Sequence, residues 1–173
     1  MSNLSLKLKF RAVFLAFAAL FAGFGWFAID RLAVVNSMST EMEVTWLPRA
    51  VLLGTINTAT SDYRIAEAAH ILSLSEDKMA EAERDQERIR GAIDKAFDQY
   101  LKLVIFQGTR DAVTDVQAKW KSYLSQSRVM VEHSRKNENE KATELFRSSK
   151  QLFDDASAEL TELSDIDGQR AAE

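Results

Sequence analysis

The chain has no cysteine, one proline, six glycines and two histidines in 173 residues. The lack of cysteine excludes a disulfide framework, a thiolate metal site and thiol chemistry, even in a compartment that permits disulfides. A single proline and few glycines argue against a turn-rich β fold and for long helices. With two histidines and no glycine-rich phosphate loop, no nucleophile, base and orienting partner can be assembled. The sequence therefore reads as a non-enzyme with no cofactor. Excess positive charge is missing too, since the formal net charge is −4. Nucleic acid, which calls for a basic face, is not an expected partner.

What is present is an uncharged apolar run from Ala12 to Ile29, preceded by Lys7, Lys9 and Arg11. A helix needs about 20 mostly apolar residues, roughly 17–25, to cross a bilayer. The run predicts a transmembrane helix over 12–29, a cytoplasmic N-terminus over 1–11 and an extracytoplasmic domain over 30–173, oriented by the positive-inside rule. The competing reading is a cleaved signal peptide with Ala16-Phe17-Ala18 as its small-x-small site. A signal's apolar region is only about 7–15 residues. Here apolar residues continue to Trp26, Phe27 and Ile29, and aromatic rings suit the edge of a membrane. Removing the three leading cations from the balance leaves −7 on the remainder.

After the anchor, four helical segments follow alternating steps of three and four, the period of helices packed nearly parallel with knobs in holes. The first stripe reads Val44, Leu47, Val51, Gly54, Ile65, Ala68 and Leu72, with Thr58 and Ser61 filling its gaps. The second reads Met79, Ala82, Gln86, Ile89, Ile93, Ala96, Tyr100 and Leu103. The third reads Val113, Val116, Trp120, Tyr123, Ser127 and Met130, and the fourth Ala142, Phe146, Ser149, Phe153, Ala156, Leu160 and Leu163. Ser73 with Glu76, and Asn137 with Glu140, read as capping boxes that start helices. Gly108 suits a helix end, with Thr109 or Asp111 capping the next helix. Short connections make neighbours antiparallel. The predicted fold is all-α, an N-terminal transmembrane helix followed by an up-down-up-down four-helix bundle.

Helices two to four hold about 27–30 residues each, roughly 40–45 Å. Pro48 should bend the longer first helix or restart it. The last helix returns toward the membrane and stops on the order of ten residues short of it. A continuation into a second membrane helix is therefore expected beyond Glu173.

This pattern resembles the periplasmic four-helix-bundle ligand-binding module of bacterial methyl-accepting chemotaxis receptors. The residues that carry the resemblance are Trp46-Leu47-Pro48, the stretch Ser61 to Leu72, and Tyr100, Arg110, Trp120 and Tyr123. It implies a membrane-anchored sensor for signal transduction, working as a homodimer in the inner membrane. The ligand would be a small carboxylate or aromatic compound, or a periplasmic binding protein. Such receptors continue into a second membrane helix, a HAMP linker and a cytoplasmic coiled coil. The expectation is therefore a truncated receptor, a gene fragment or a stand-alone sensor acting through a partner. The same module also precedes histidine kinases and cyclic-dinucleotide enzymes. A tethered structural or assembly bundle of the cell envelope is the alternative from another class.

In aspartate-type receptors, arginines near the distal end of the first bundle helix grip the ligand carboxylate at the dimer interface. The resemblance implies a comparable role for Arg64, with Tyr63 and His70 nearby. Arginine suits the task because its planar fork binds a carboxylate bidentately. The competing reading of Arg64 is an ion pair beside Asp62 or Glu67. Glu67 and His70 form Glu-x-x-His, but His133 lacks a matching glutamate, so no di-iron centre is expected. Trp46, Trp120, Tyr100 and Tyr123 read as core rather than pocket. The charged runs Glu81 to Asp85 and Arg135 to Lys141 read as solvated faces and loops.

Overall fold

The computed structural model describes residues 5–171. The chain divides into two compact units, Met1–Val44 and Thr45–Glu173. Glu173, where the continuation was expected, lies outside the described residues, as do 1–4 of the N-terminal segment.

In the first unit, helix α1 spans Leu6–Glu41 and buries none of its residues. Phe14, Phe21, Phe24 and Trp26 all stand largely exposed. A helix that is apolar all round belongs in a protein core or in lipid. α1 is long and apolar enough to cross a membrane.

Helix α2 spans Leu47–Leu72, and a π-helical turn, Met42–Trp46, precedes it. Pro48 sits in its first turn. Proline has no N–H for the carbonyl four residues back, here that of Val44, and its ring crowds that carbonyl. A π turn moves the bonding to the fifth residue and so accommodates the ring. Where Pro48 was expected to bend or restart the helix, helical structure continues through this π turn.

The bundle continues with α3 (Glu76–Leu103), α4 (Gln107–Arg135), α5 (Asn139–Ser148) and α6 (Lys150–Ala171). The fourth helix of the expected bundle is thus two helices that meet at Ser149, with no proline or glycine at the break. The expected helix signals are corrected in three places. Ser75, not Ser73, caps α3, its side chain accepting from the Lys78 N–H at 3.4 Å. Ser73 bonds backward to the Ala69 carbonyl instead. Gly108 lies inside the first turn of α4 rather than at a helix end, and Phe106 holds the N-cap position in place of Thr109 or Asp111. Asn137 ends α4 instead of starting α5. Its φ is 58°, the Asn137 N–H bonds Ser134 O at 2.9 Å and the Glu138 N–H bonds His133 O at 3.0 Å. That pair of bonds is a Schellman motif with asparagine at the left-handed position.

The expected stripes of α3 and α4 and of the α5–α6 arm face the core. The α2 stripe does not. Val51 is 58% exposed, Ile65 66% and Leu72 78%. Gly54, Thr58 and Ser61 are exposed with them. α2 turns another heptad phase inward: Arg49, Leu53, Ile56, Thr60, Tyr63, Glu67 and His70. The helices form two antiparallel hairpins, α2 with α3 and α4 with α5–α6, each closely packed, whereas α3 and α4 touch sparsely.

Candidate functional site

The inward face of α2 is unusual in its chemistry. Arg49, Thr60, Glu67 and His70 are all buried on it, with the Tyr63 ring among them. A buried polar group is costly unless it is paired, and a buried charge more so. The partners come from α3, α4, α5 and α6 in three clusters along the bundle.

At one end, Arg49 donates from Nε to Asp167 Oδ2 at 3.0 Å, and its Nη2 closes the bidentate pair on Oδ1. The Tyr100 hydroxyl donates to the same Asp167 Oδ2 at 2.7 Å. The guanidinium lies over the Trp46 ring, 4.6 Å from its centroid. Burial pushes the Tyr100 phenol up, and the Asp167 charge adds to the rise.

In the middle, the Tyr123 hydroxyl donates to Glu67 Oε2 and accepts from Arg64 Nη1 at 3.0 Å. Arg64 Nη1 also reaches Ser149 Oγ at 3.1 Å, and Nη2 donates to the Phe146 carbonyl at 2.9 Å. That carbonyl lies in the last turn of α5, where carbonyls lack in-helix partners. Arg64 and the Ser149 hydroxyl together cap it. Phe146 also packs its ring under the guanidinium, 4.2 Å from centroid to Cζ. Glu67 Oε1 has no partner among the described residues. Burial raises the Glu67 carboxyl to about 7, while the Ser127 and Tyr123 hydroxyls and the Arg64 charge pull it down. The Tyr63 hydroxyl shares a 3.2 Å bond with Ser127 Oγ, and its ring meets Trp120 edge-on at 5.4 Å.

At the other end, His70 has both ring nitrogens engaged: Nδ1 with Ser134 Oγ and Nε2 with Glu83 Oε1, each at 2.9 Å. Arg135 binds Glu83 through Nε at 2.5 Å and Nη2 at 2.8 Å. The Arg135 bond, followed by the His70 bond, holds the Glu83 carboxyl down at about 2 against partial desolvation. Glu83 and Arg135, expected as solvated charges, thus complete the surroundings of a buried histidine.

Residues 3–173 match the family described as a four helix bundle sensory module for signal transduction. The chain belongs to that family. The module is also similar to YvaQ of Bacillus subtilis (strain 168), a protein named as a sensory transducer, with 21% identity over 164 residues. The match covers 95% of this chain and 29% of YvaQ, so the chain spans less than a third of that relative's length.

Within this sensory module, Arg64 and Tyr63 meet around Tyr123 and Trp120, while His70 belongs to the separate cluster with Glu83. The two terminal nitrogens of Arg64 and both ring nitrogens of His70 are engaged by the chain itself. Tyr63 borders an open cleft between α3 and α4. Trp120, Tyr100 and Tyr123 are buried, as core aromatics should be, and Trp46 is half-buried against Arg49. The sequence reading passed over Arg49, Asp167 and Ser127 as polar partners, and it took Glu67 only as a metal-motif member or surface ion-pair partner. For Arg49 and Glu67 the available signal was the heptad phase they share with Tyr63 and His70, while Ser127 and Asp167 fall on the stripes of α4 and α6; apolarity alone does not pick these out.

Proposed function

We propose that the chain is the extracytoplasmic input module of a chemotaxis-type transmembrane receptor. α1 holds it in the inner membrane with the N-terminus in the cytoplasm, and it works as a homodimer joined along the outer face of α2. Lys7, Lys9 and Arg11 ahead of the span support that orientation. The observation that carries the dimer is the outward stripe Leu47, Val51, Gly54, Thr58, Ser61, Ile65, Ala68 and Leu72. Its apolar and small residues keep a 3–4 spacing and meet nothing large within the chain. Such spacing is what a second, parallel helix needs, and the small members allow close approach. Two copies anchored in one membrane would present their α2 helices parallel.

Signalling in this reading is a shift between two packings of the paired bundles. A ligand acts only through the difference in its affinity for the two states. The Arg64, Glu67 and His70 clusters tie α2 to the α4–α5–α6 hairpin, so a displacement between hairpins would be felt along α2. The sensed compound would be a small carboxylate or aromatic molecule, met directly or on a binding protein.

Ile65→Asp tests the dimer. The position is exposed in the single chain, so helicity by circular dichroism should be unchanged. Light scattering of the full chain in lipid nanodiscs should give a dimer for the parent and a monomer for the variant. A monomeric parent, or a variant that stays dimeric, would remove the proposed seam.

A further inference from the structure

Opposite the tightly bonded side of α2, the bundle opens. Between α3 and α4 lies a cleft of about 760 Å³. Sites for small molecules commonly span about 300–1,000 Å³. The helices are joined across it by the Glu83–Arg135 pair near one end and by the Arg110 bond to the Leu101 carbonyl near the other. The floor is aromatic, made by Tyr63, Phe97 and Trp120.

Among the described residues, two unpaired donors and two unpaired cations lie along this cleft. Gln86 is 7% exposed and Trp120 4%, and both line it. Gln86 Nε2 and Trp120 Nε1 are N–H donors with less than 1 Å² of open surface each and no partner among the described residues. Unpaired buried donors are uncommon and ask for an explanation. On the rim, Lys121 and Arg128 stand seven residues apart on α4, about 10 Å along one face. Neither has a side-chain ion-pair partner among the described residues, whereas Arg90 and Arg135 are paired with Glu87 and Glu83. The rim acids Asp94 and Glu132 also lack such a pair and set a limit on how much negative charge the cleft accepts.

We propose that the α3/α4 cleft binds a small monoanionic aromatic carboxylate. Its ring would lie on the Tyr63, Phe97 and Trp120 floor. Its oxygens would accept from Gln86 Nε2 or Trp120 Nε1, with Arg128 or Lys121 supplying the countercharge. A compound seated there bridges the two hairpins where α3 and α4 touch sparsely. The proposal rests on the sensor reading for its purpose, but the binding itself does not require the α2 dimer.

Cinnamate is the probe, with cinnamyl alcohol and cinnamylamine as its uncharged and cationic counterparts. Each is titrated calorimetrically into the full chain in nanodiscs. Cinnamate should bind saturably, and the alcohol and amine at least about tenfold more weakly, the scale of one hydrogen bond to a charged acceptor. Gln86→Leu and Arg128→Gln should each weaken cinnamate by at least about tenfold. Gln86→Leu should also raise the melting temperature without ligand, because it removes an unpaired donor, so lost binding cannot be lost folding. Ile65→Asp should bind as the parent does, which separates a failed cleft from a failed dimer. The proposal is overturned if cinnamate does not bind, or if it binds equally to Gln86→Leu and Arg128→Gln.

Discussion

The two faces of α2 depart from the ordinary rule for a bundle helix, since its inner face mixes polar residues with Leu53, Ile56 and Tyr63. The face turned into the chain carries Arg49, Thr60, Glu67 and His70, and the face turned outward carries Leu47, Val51, Ile65 and Leu72. A polar residue is stable inside when partners from other helices meet it, as Asp167 meets Arg49 and Glu83 meets His70. An apolar stripe on the outside is costly in water and gains only if something covers it. The difference separates fold from assembly. The inner face is specified by bonds within the chain, and the outer face is the one we propose for a second copy.

The comparison breaks most severely at Arg49 and Asp167. Asp167→Ala leaves a buried guanidinium without its carboxylate and should cost about 3–5 kcal/mol in chemical denaturation. Replacing both residues by apolar ones, Arg49→Met with Asp167→Leu, should cost much less, because no buried charge is left alone. On the outer face, Val51→Ala should change the stability of a single chain by no more than about 0.5 kcal/mol.

Glu67 sharpens the same contrast through pH. Burial raises its carboxyl to about 7 from the usual 4.5. The folded chain therefore holds that proton more tightly than the unfolded chain. The resulting stability is complete below the unfolded value and is lost as pH rises through the folded one, an effect of roughly 3 kcal/mol. Glu83, lowered to about 2, works in the opposite direction and at lower pH. Its contribution is present above the unfolded value and is lost as pH falls toward 2. Melting temperatures measured across pH should lose the descending limb in Glu67→Gln and the ascending limb in Glu83→Gln.

A smaller loss than at Asp167 or Glu67 is expected at Arg64, which is half-buried. Arg64→Ala should cost about 2 kcal/mol, the range for a lost hydrogen bond to a charged group. Amide exchange should quicken in α5, whose last carbonyls Arg64 caps. The neighbouring outer-face change, Ile65→Ala, should leave α5 exchange unaltered.

Much of the fold was legible because α3, α4 and the α5–α6 arm obey one rule, apolar residues inward at heptad spacing. The α2 phase was misread because its more apolar stripe points away from the core, so apolarity picked out the wrong face. The break at Ser149 gave no local sign, since a side chain distant in sequence, Arg64, holds the freed carbonyl. The polar partners were hidden for the same reason. Arg49 and Asp167 are 118 positions apart, and only the antiparallel packing of α2 and α6 brings them together. Tyr63, Arg64 and His70 stood out through resemblance, but their surroundings could not be read from neighbouring residues.

The central claim, that α2 keeps its polar face for its own chain and its apolar face for a second copy, is tested most directly by disulfide cross-linking. The chain has no cysteine, so each introduced thiol reports on one position. Val51→Cys, Thr58→Cys and Ile65→Cys in native membranes should form disulfide-linked dimers on mild oxidation. Arg88→Cys and Lys95→Cys, on the exposed side of α3, should not. Cross-linking from the α3 positions in preference to those on α2 would contradict the account.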